Sequence, residues 1–118
     1  DAARLQITEH EVVKVLNDRG ACLVAAIISD DVMPGVIVIS TGAWFDPDYS
    51  EDDLDANEVL RQLLCKHGNP NILTPDIGTS SLAQGPGAHS CLVEIVRLTI
   101  PVPAVTAFDA PHFCSRID

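Results

Sequence analysis

The chain has 118 residues and a formal net charge of −10 at pH 7, with a sequence pI of about 4.5. This length suits one domain with one core, and so acidic a surface repels phosphate backbones, which argues against nucleic-acid binding. Hydrophobic residues make up 47% of the chain but aromatic residues only 4%, so we expect a core of valine, isoleucine, leucine and alanine. No apolar run approaches the length of a membrane span.

The chain opens on Asp1 rather than on methionine, without the basic and apolar segments of a signal peptide. We therefore expect residues 1–118 to be one domain that is a fragment of a longer or processed polypeptide. Buried free thiols are favoured over a disulfide framework because the four cysteines lack close-paired spacing. They are Cys22, Cys65, Cys91 and Cys114.

The first third of the chain predicts a hairpin preceded by a short helical turn within residues 1–11. Residues 12–16 are β-branched and short, which favours a strand. Residues 17–20 read NDRG, and asparagine at the first position with glycine at the fourth fits a type I turn. Residues 21–29 are then the return strand, and their nearly unbroken apolar run predicts cover on both faces.

A second turn and a third strand follow. Residues 30–35 end in Pro-Gly, which is typical of a type II turn with glycine at positive φ. Residues 35–41 read GVIVIST and predict a strand that is apolar on both faces. The acidic residues between positions 46 and 58 predict a solvated surface loop, since they lack the spacing of an EF-hand calcium loop.

A helix is predicted next, because Asp55 and Glu58 have the spacing of a capping box. Leucines and a valine fall on one face at helical spacing. Lys66 and His67 lie where cations favour a helix C-terminus, and Gly68 suits the position just beyond it. Further along, residues 91–98 predict a strand and residues 106–118 an extended tail laid over the body.

The stretch 66–89, KHGNPNILTPDIGTSSLAQGPGAH, organises the rest of the chain. It is too rich in glycine, proline, asparagine and serine for regular structure, yet apolar residues are threaded through it, which predicts a packed loop. Long structured loops in small domains usually bind something, and this one offers carboxamides, hydroxyls and backbone N–H groups suited to a flat heterocycle or a phosphate. The threaded apolar residues are Ile72, Leu73, Ile77 and Leu82.

The predicted strands, with one convincing helix, indicate a mainly β fold, and a closed or nearly closed barrel would remove the sheet edges. Several motifs in order resemble the C-terminal domain of the dimethyl sulfoxide reductase family, and the closest branch comprises the trimethylamine-N-oxide, biotin-sulfoxide and dimethyl sulfoxide reductases. The motifs are NDRG (17–20), VMPG (32–35), STGAWFDP (40–47), CKHGNPNILT (65–74) and DIGTSSLAQG (76–85).

The resemblance implies a molybdopterin-dinucleotide-binding domain with a double-psi β-barrel and one or two short helices. In that family the complete enzyme holds molybdenum between two molybdopterin guanine dinucleotides and reduces an S-oxide or N-oxide by oxygen-atom transfer. The domain contributes contacts to the pterin, while the protein ligand of the metal belongs to another domain. The isolated domain is therefore expected to be inactive, with the remaining domains of the parent enzyme as its partners.

By resemblance, Asn71 is the asparagine that contacts the pterin. A carboxamide carries both a donor and an acceptor, so Asn71 can pair with the planar pterin edge without adding charge. His89 occupies the second contact position, where the family pattern commonly has glutamine, and a ring nitrogen can still donate or accept there. Asn69 is a further candidate contact. The alternative for Asn71 is a turn residue bonded to its own loop, and for His89 a half-buried, satisfied histidine.

Other functions also fit parts of the pattern. An acidic β-barrel that binds a protein partner needs no cofactor. Cys65-x-His67 and His89-x-Cys91 could suggest zinc, but structural zinc pairs usually have two to four intervening residues. Residues 66–89 include the residue types of a hydrolytic triad, but the sequence lacks the nucleophile-elbow motif.

Overall fold

The computed structural model describes residues 1–48, 63–82, 85 and 90–110. Within these residues it contains one short helix, α1, four strands, β1 to β4, and one 3-10 helix. Their bounds are α1 Ala2–Leu5, β1 Val12–Leu16, β2 Ala21–Ala25, β3 Leu64–Cys65, the 3-10 helix Pro70–Leu73 and β4 Glu94–Arg97.

The four described strands form one open sheet in the order β3-β2-β1-β4. β1 pairs antiparallel with both β2 and β4, whereas β2 and β3 run parallel, with Cys22 opposite Cys65. A parallel pair needs a crossover connection, which here spans the chain between β2 and β3. The mainly β prediction is confirmed. None of the helices in the described segments is long and apolar enough to cross a membrane.

The predicted hairpin is confirmed, and its turn is tied to the rest of the fold by Asn17. The Asn17 N–H donates to the Gly20 carbonyl at 3.0 Å, and the Asn17 side-chain oxygen accepts from the Arg19 N–H at 2.9 Å. The amide nitrogen of the same side chain donates to the Leu73 carbonyl at 2.8 Å and to the Leu92 carbonyl at 3.3 Å. The hairpin turn therefore fixes the end of the 3-10 helix and the approach to β4.

A small aliphatic core lies where the sheet meets the 3-10 helix. Val13 and Val15 on β1 are buried while their neighbours in the strand are only partly buried, which is the two-residue alternation of a half-covered strand. Each fully buried aliphatic side chain contributes roughly 1.5–3 kcal/mol of hydrophobic stabilisation. The buried cluster is Ile7, Val13, Val15, Cys22, Cys65 and Leu73.

The Pro-Gly turn is confirmed, but the strand predicted after it is absent. The Val36 N–H donates to the Met33 carbonyl at 3.2 Å, and Gly35 has φ +79°, as a type II turn requires. Residues 35–41, however, are not a strand, and Val38 is 74% exposed. Among the described backbone hydrogen bonds none joins residues 37–41 to another segment, so the apolar pattern finds no partner strand. β2 likewise ends at Ala25, short of the predicted residue 29.

The helix predicted from Asp55 falls mostly on residues 49–62, which lie outside the described residues, but its predicted end is wrong. Leu64–Cys65 is strand β3, and Lys66 and His67 lie in a turn. These residues form a strand and not a helix end because they pair on both sides. β3 lies parallel to β2, and Cys65 also forms an antiparallel bridge with Pro47. Tertiary hydrogen bonds here override a local helical pattern.

Candidate functional site

The centre of the organising loop is a capped 3-10 helix. Asn69 is its N-cap, and the Asn69 side-chain oxygen accepts the Asn71 N–H at 3.0 Å. Pro70 at the first helical position has a φ already suited to the helix. The Asn71 carbonyl accepts from the Thr74 hydroxyl at 3.1 Å, and Leu73 anchors the far end in the core. The backbone of Asn71 is therefore held from both sides.

The side chain of Asn71 is exposed, and in the part of the chain that the structure describes it makes no hydrogen bond. The loop thus uses the backbone of Asn71 for its own structure and leaves the carboxamide for another molecule. A carboxamide on a fixed backbone offers a donor and an acceptor in one plane, which matches the edge of a flat heterocycle.

A cleft of about 760 Å³ borders the 3-10 helix, and Pro70, Leu73 and Thr74 line it together with residues from α1, the segment after the Pro-Gly turn and β4. Its walls are mostly apolar, and the charged residues Asp1, Arg4 and Glu94 also line it, whereas Asn71 is not among the lining residues.

The fully buried thiol of Cys65 connects this helix to a second motif. The Cys65 sulfur accepts the Asn69 N–H at 3.4 Å and the Asp46 N–H at 3.5 Å, and the thiol donates to the Trp44 carbonyl at 3.8 Å. Two motifs that lie far apart in the sequence thus meet at one atom.

An aromatic group lies beside that junction. The Trp44 N–H donates to the Nδ1 atom of His67 at 3.0 Å, so neutral His67 carries its proton on Nε2. The ring of Phe108 lies edge-on to His67 at 5.0 Å and tilted to Trp44 at 6.1 Å between centroids. Trp44 remains 64% exposed, which agrees with the rim of a site.

Asp46 corrects one prediction, because it belongs to the acidic segment expected to be solvated and is only 4% exposed. Its carboxylate accepts the Thr106 N–H at 2.6 Å, the Thr106 hydroxyl at 2.7 Å and the Ala107 N–H at 3.1 Å, with the Lys66 ammonium 3.7 Å away. Burial alone raises the pKa of Asp46, but the bonds from Thr106 and Ala107 and the charge of Lys66 outweigh it, so the pKa lies below its usual value.

This Asp46 clasp (Asp46, Lys66, Thr106 and Ala107) fixes the start of the predicted tail on the body, but residues 106–109 form a turn and not the predicted extended segment, since the Asp109 N–H donates to the Thr106 carbonyl at 3.0 Å. Residues 111–118 lie outside the described residues. Sequence reasoning missed both the clasp and the Cys65 junction. No local pattern signalled either of them, because their partners come from separate parts of the chain.

The second half of the organising loop differs from its prediction. Ile77 and Leu82 were expected to pack, but both are exposed, Leu82 to 97%. His89 lies outside the described residues, so its contact stays a prediction. The structure therefore brings Asn69 and Asn71 together and confirms packing only for Ile72 and Leu73.

The described cysteines are free thiols, as expected, and Cys114 lies outside the described residues. Burial, with a further contribution from Cys65, raises the pKa of Cys22 to about 11, so Cys22 stays protonated. Among the residues described, no three His, Cys, Asp or Glu side chains are placed to hold a metal ion. His89, one of the four residues of the zinc alternative, lies outside them.

Within the described residues, this mainly β domain presents an exposed carboxamide on a 3-10 helix that borders a cleft. The chain belongs to the Molydopterin dinucleotide binding domain family, whose model matches residues 1–92. This finding confirms the family predicted from the motifs.

Curated relatives extend the similarity over most of the chain. It is 50% identical over 111 residues, 94% of its length, to a trimethylamine-N-oxide reductase of Salmonella typhimurium. It is 47% identical over the same share to trimethylamine-N-oxide reductase 1 of Escherichia coli O157:H7, and 40% identical over 94% to a trimethylamine-N-oxide reductase of Vibrio vulnificus. The chain spans only 12% of the length of each of these relatives.

Proposed function

We propose that this chain is the C-terminal cofactor-binding domain of a molybdenum oxidoreductase that reduces trimethylamine N-oxide or a related N-oxide or S-oxide. Family membership and relatives named trimethylamine-N-oxide reductases support this proposal. The cofactor is molybdenum bound by two molybdopterin guanine dinucleotides, and when bound it supplies the oxygen-atom transfer. The rest of the polypeptide is the domain's partner and contributes the protein ligand of the metal.

Within this function, Asn71 pairs through its carboxamide with the edge of the pterin. The observation that carries this assignment is the exposed, unbonded side chain on a backbone fixed by Asn69 and Thr74. Pairing with a preorganised amide orients the cofactor without charge, and little conformational freedom is lost on binding. Asn69 acts through its cap on Asn71, and His89 supplies the second contact.

The complete domain, residues 1–118, is proposed to be a double-psi β-barrel. The parallel pairing of β2 with β3 inside an otherwise antiparallel sheet is compatible with such crossovers. Closure of the barrel would give the apolar residues 35–41 the partner strand that the described sheet lacks. A crystal structure of the full-length enzyme with residues 35–41 unpaired would reject the barrel. The alternative of an acidic interaction module gains no support from the similar proteins.

The assignment of Asn71 is tested by Asn71→Ala in the full-length enzyme, with molybdenum and guanine nucleotide measured per polypeptide after extended dialysis. Loss of one bond to a buried ligand group costs about 1.4 kcal/mol, so we expect roughly tenfold weaker retention with an unchanged melting temperature. Gln6→Ala is the matched control, because Gln6 is also an exposed carboxamide but lies at the end of α1. Equal cofactor content in both variants would contradict the role of Asn71.

A further inference from the structure

The buried sulfur of Cys65 contacts two loop motifs, which backbone hydrogen bonds between residues 46–48 and 64–66 also join. The Cys65 side chain is 0% exposed, and its sulfur lies 3.4 Å from the Asn69 nitrogen and 3.5 Å from the Asp46 nitrogen. The thiol also lies 3.8 Å from the Trp44 carbonyl oxygen, to which it donates. One side of the junction is the cap of the 3-10 helix, and the other is the segment that carries Trp44 and Asp46.

We propose that Cys65 is a positioning residue for the cofactor contact and acts on Asn71 through Asn69. The Cys65 sulfur fixes the Asn69 N–H, and the Asn69 side-chain oxygen fixes the Asn71 N–H. The two bonds form a relay from the core of the sheet to the carboxamide at the surface. The relay itself follows from the geometry, whereas its effect on the cofactor rests on the proposed function of Asn71.

The relay explains why an acceptor is needed at this position of β3. The sulfur is a weak acceptor, so each bond contributes little by itself. Removal of the sulfur, however, leaves the N–H groups of Asp46 and Asn69 without their acceptor next to the core, and an unsatisfied buried donor is costly. A new partner for the Asn69 N–H requires a shift of Asn69, which displaces Asn71.

Cys22 provides a matched control inside the same sheet. It is the Cα partner of Cys65 across the β2–β3 pair, and it is equally buried. In the described segments its sulfur makes no hydrogen bond, so Cys22→Ala removes the same volume from the same core without touching the relay. A difference between the two cysteine variants therefore separates positioning from packing.

The experiment compares Cys65→Ala, Cys65→Ser and Cys22→Ala in the full-length enzyme. Hydrogen exchange of a peptide covering residues 66–74 is measured in cofactor-free protein, and molybdenum content in the loaded protein. We expect roughly tenfold faster exchange and a severalfold loss of molybdenum in Cys65→Ala. Cys65→Ser keeps an oxygen acceptor on a shorter bond, so it gives values between those of Cys65→Ala and wild type. Cys22→Ala keeps wild-type exchange in this peptide and wild-type molybdenum content.

Equal exchange in Cys65→Ala and Cys22→Ala would overturn the relay. If Cys65→Ala does not fold, Cys65→Ser is the deciding variant. The relay predicts that hydrogen exchange in Cys65→Ser is faster in residues 66–74 and unchanged in β4. Wild-type exchange in both segments would overturn the relay. Faster exchange with full molybdenum content overturns the effect on the cofactor. Failure of the proposed function has a different signature, since Asn71→Ala would then retain molybdenum while Cys65→Ala still accelerates exchange.

Discussion

Two regions of the molecule differ in a way that their sequences do not suggest. Residues 35–41 have the stronger local pattern, a run of β-branched residues after a well-formed turn, yet they form no strand, and all of them except Ile39 are exposed. Residues 65–74 have little regular pattern, yet a dense set of hydrogen bonds to Cys65, Asn69 and Thr74 fixes them. Order in this domain therefore follows the availability of partners and not local propensity.

The largest effect is expected at the Asp46 clasp, which holds the ordered region to the tail. Asp46→Ala leaves Lys66 and the Thr106 N–H without their buried acceptor, and breaking such a pair costs about 3 kcal/mol. Urea unfolding of the chain should show a lower midpoint. Asp109→Ala removes the same charge from an exposed position and should change little. Similar midpoints for both variants would show that the clasp does not stabilise the fold.

The same clasp predicts a dependence of stability on pH. The folded pKa of Asp46 lies below its unfolded value, which is about 3.9. The native state then binds fewer protons than the unfolded state, so this stabilisation is full above about pH 4 and is lost as pH falls through the folded pKa. Wild type should lose stability below about pH 4 more steeply than Asp46→Asn. Parallel curves for the two proteins would refute the assignment.

Two glycines with the same backbone conformation sharpen the comparison between the regions. Gly68 has φ +80°, and an added Cβ would lie 2.9 Å from the Leu23 carbonyl oxygen. Gly35 has φ +79°, with open space where its Cβ would be. Gly35→Ala should lower the free energy of unfolding by about 1 kcal/mol through backbone strain. Gly68→Ala should lower it by about 2 kcal/mol, because the added Cβ also displaces the turn from β2. Equal costs, measured by thermal unfolding, would mean that contact with β2 is unimportant.

A smaller effect separates two roles of Asn69. If Asn69 only caps Asn71, Asn69→Asp keeps the side-chain acceptor and preserves cofactor retention, whereas Asn69→Ala loses about 1 kcal/mol of cap energy and some retention. If the Asn69 amide nitrogen contacts the cofactor directly, aspartate rescues nothing. Molybdenum content and melting temperature of the two full-length variants distinguish these cases, and we expect rescue by aspartate.

Local signals in the sequence predicted the local structure well. The NDRG hairpin turn, the Pro34-Gly35 turn and the strand cores of β1, β2 and β4 all depend on neighbouring residues. The helix end predicted at Lys66 failed because β3 is defined by its pairing with β2. The burial of Asp46 depends on Thr106, 60 residues away, and no local pattern contains that information.

The site was predictable only in part. The motif around Asn69 and Asn71 predicted a structured polar loop, which the capped 3-10 helix confirms, whereas its contact with a heterocycle stays a prediction. The Cys65 junction was not predictable, since a cysteine in an apolar context suggests only a small buried residue. Its three partners come from two motifs that fold against one strand, so their meeting is visible only in three dimensions.

The most direct test of the central claim is a crystal structure of the full-length enzyme with its cofactor bound. The account predicts the Asn71 side-chain nitrogen and oxygen within hydrogen-bonding distance of the pterin edge, with the Asn69 cap and the Cys65 contacts kept as described here. An Asn71 carboxamide that faces solvent or bonds only its own loop, with the pterin held elsewhere, would contradict it.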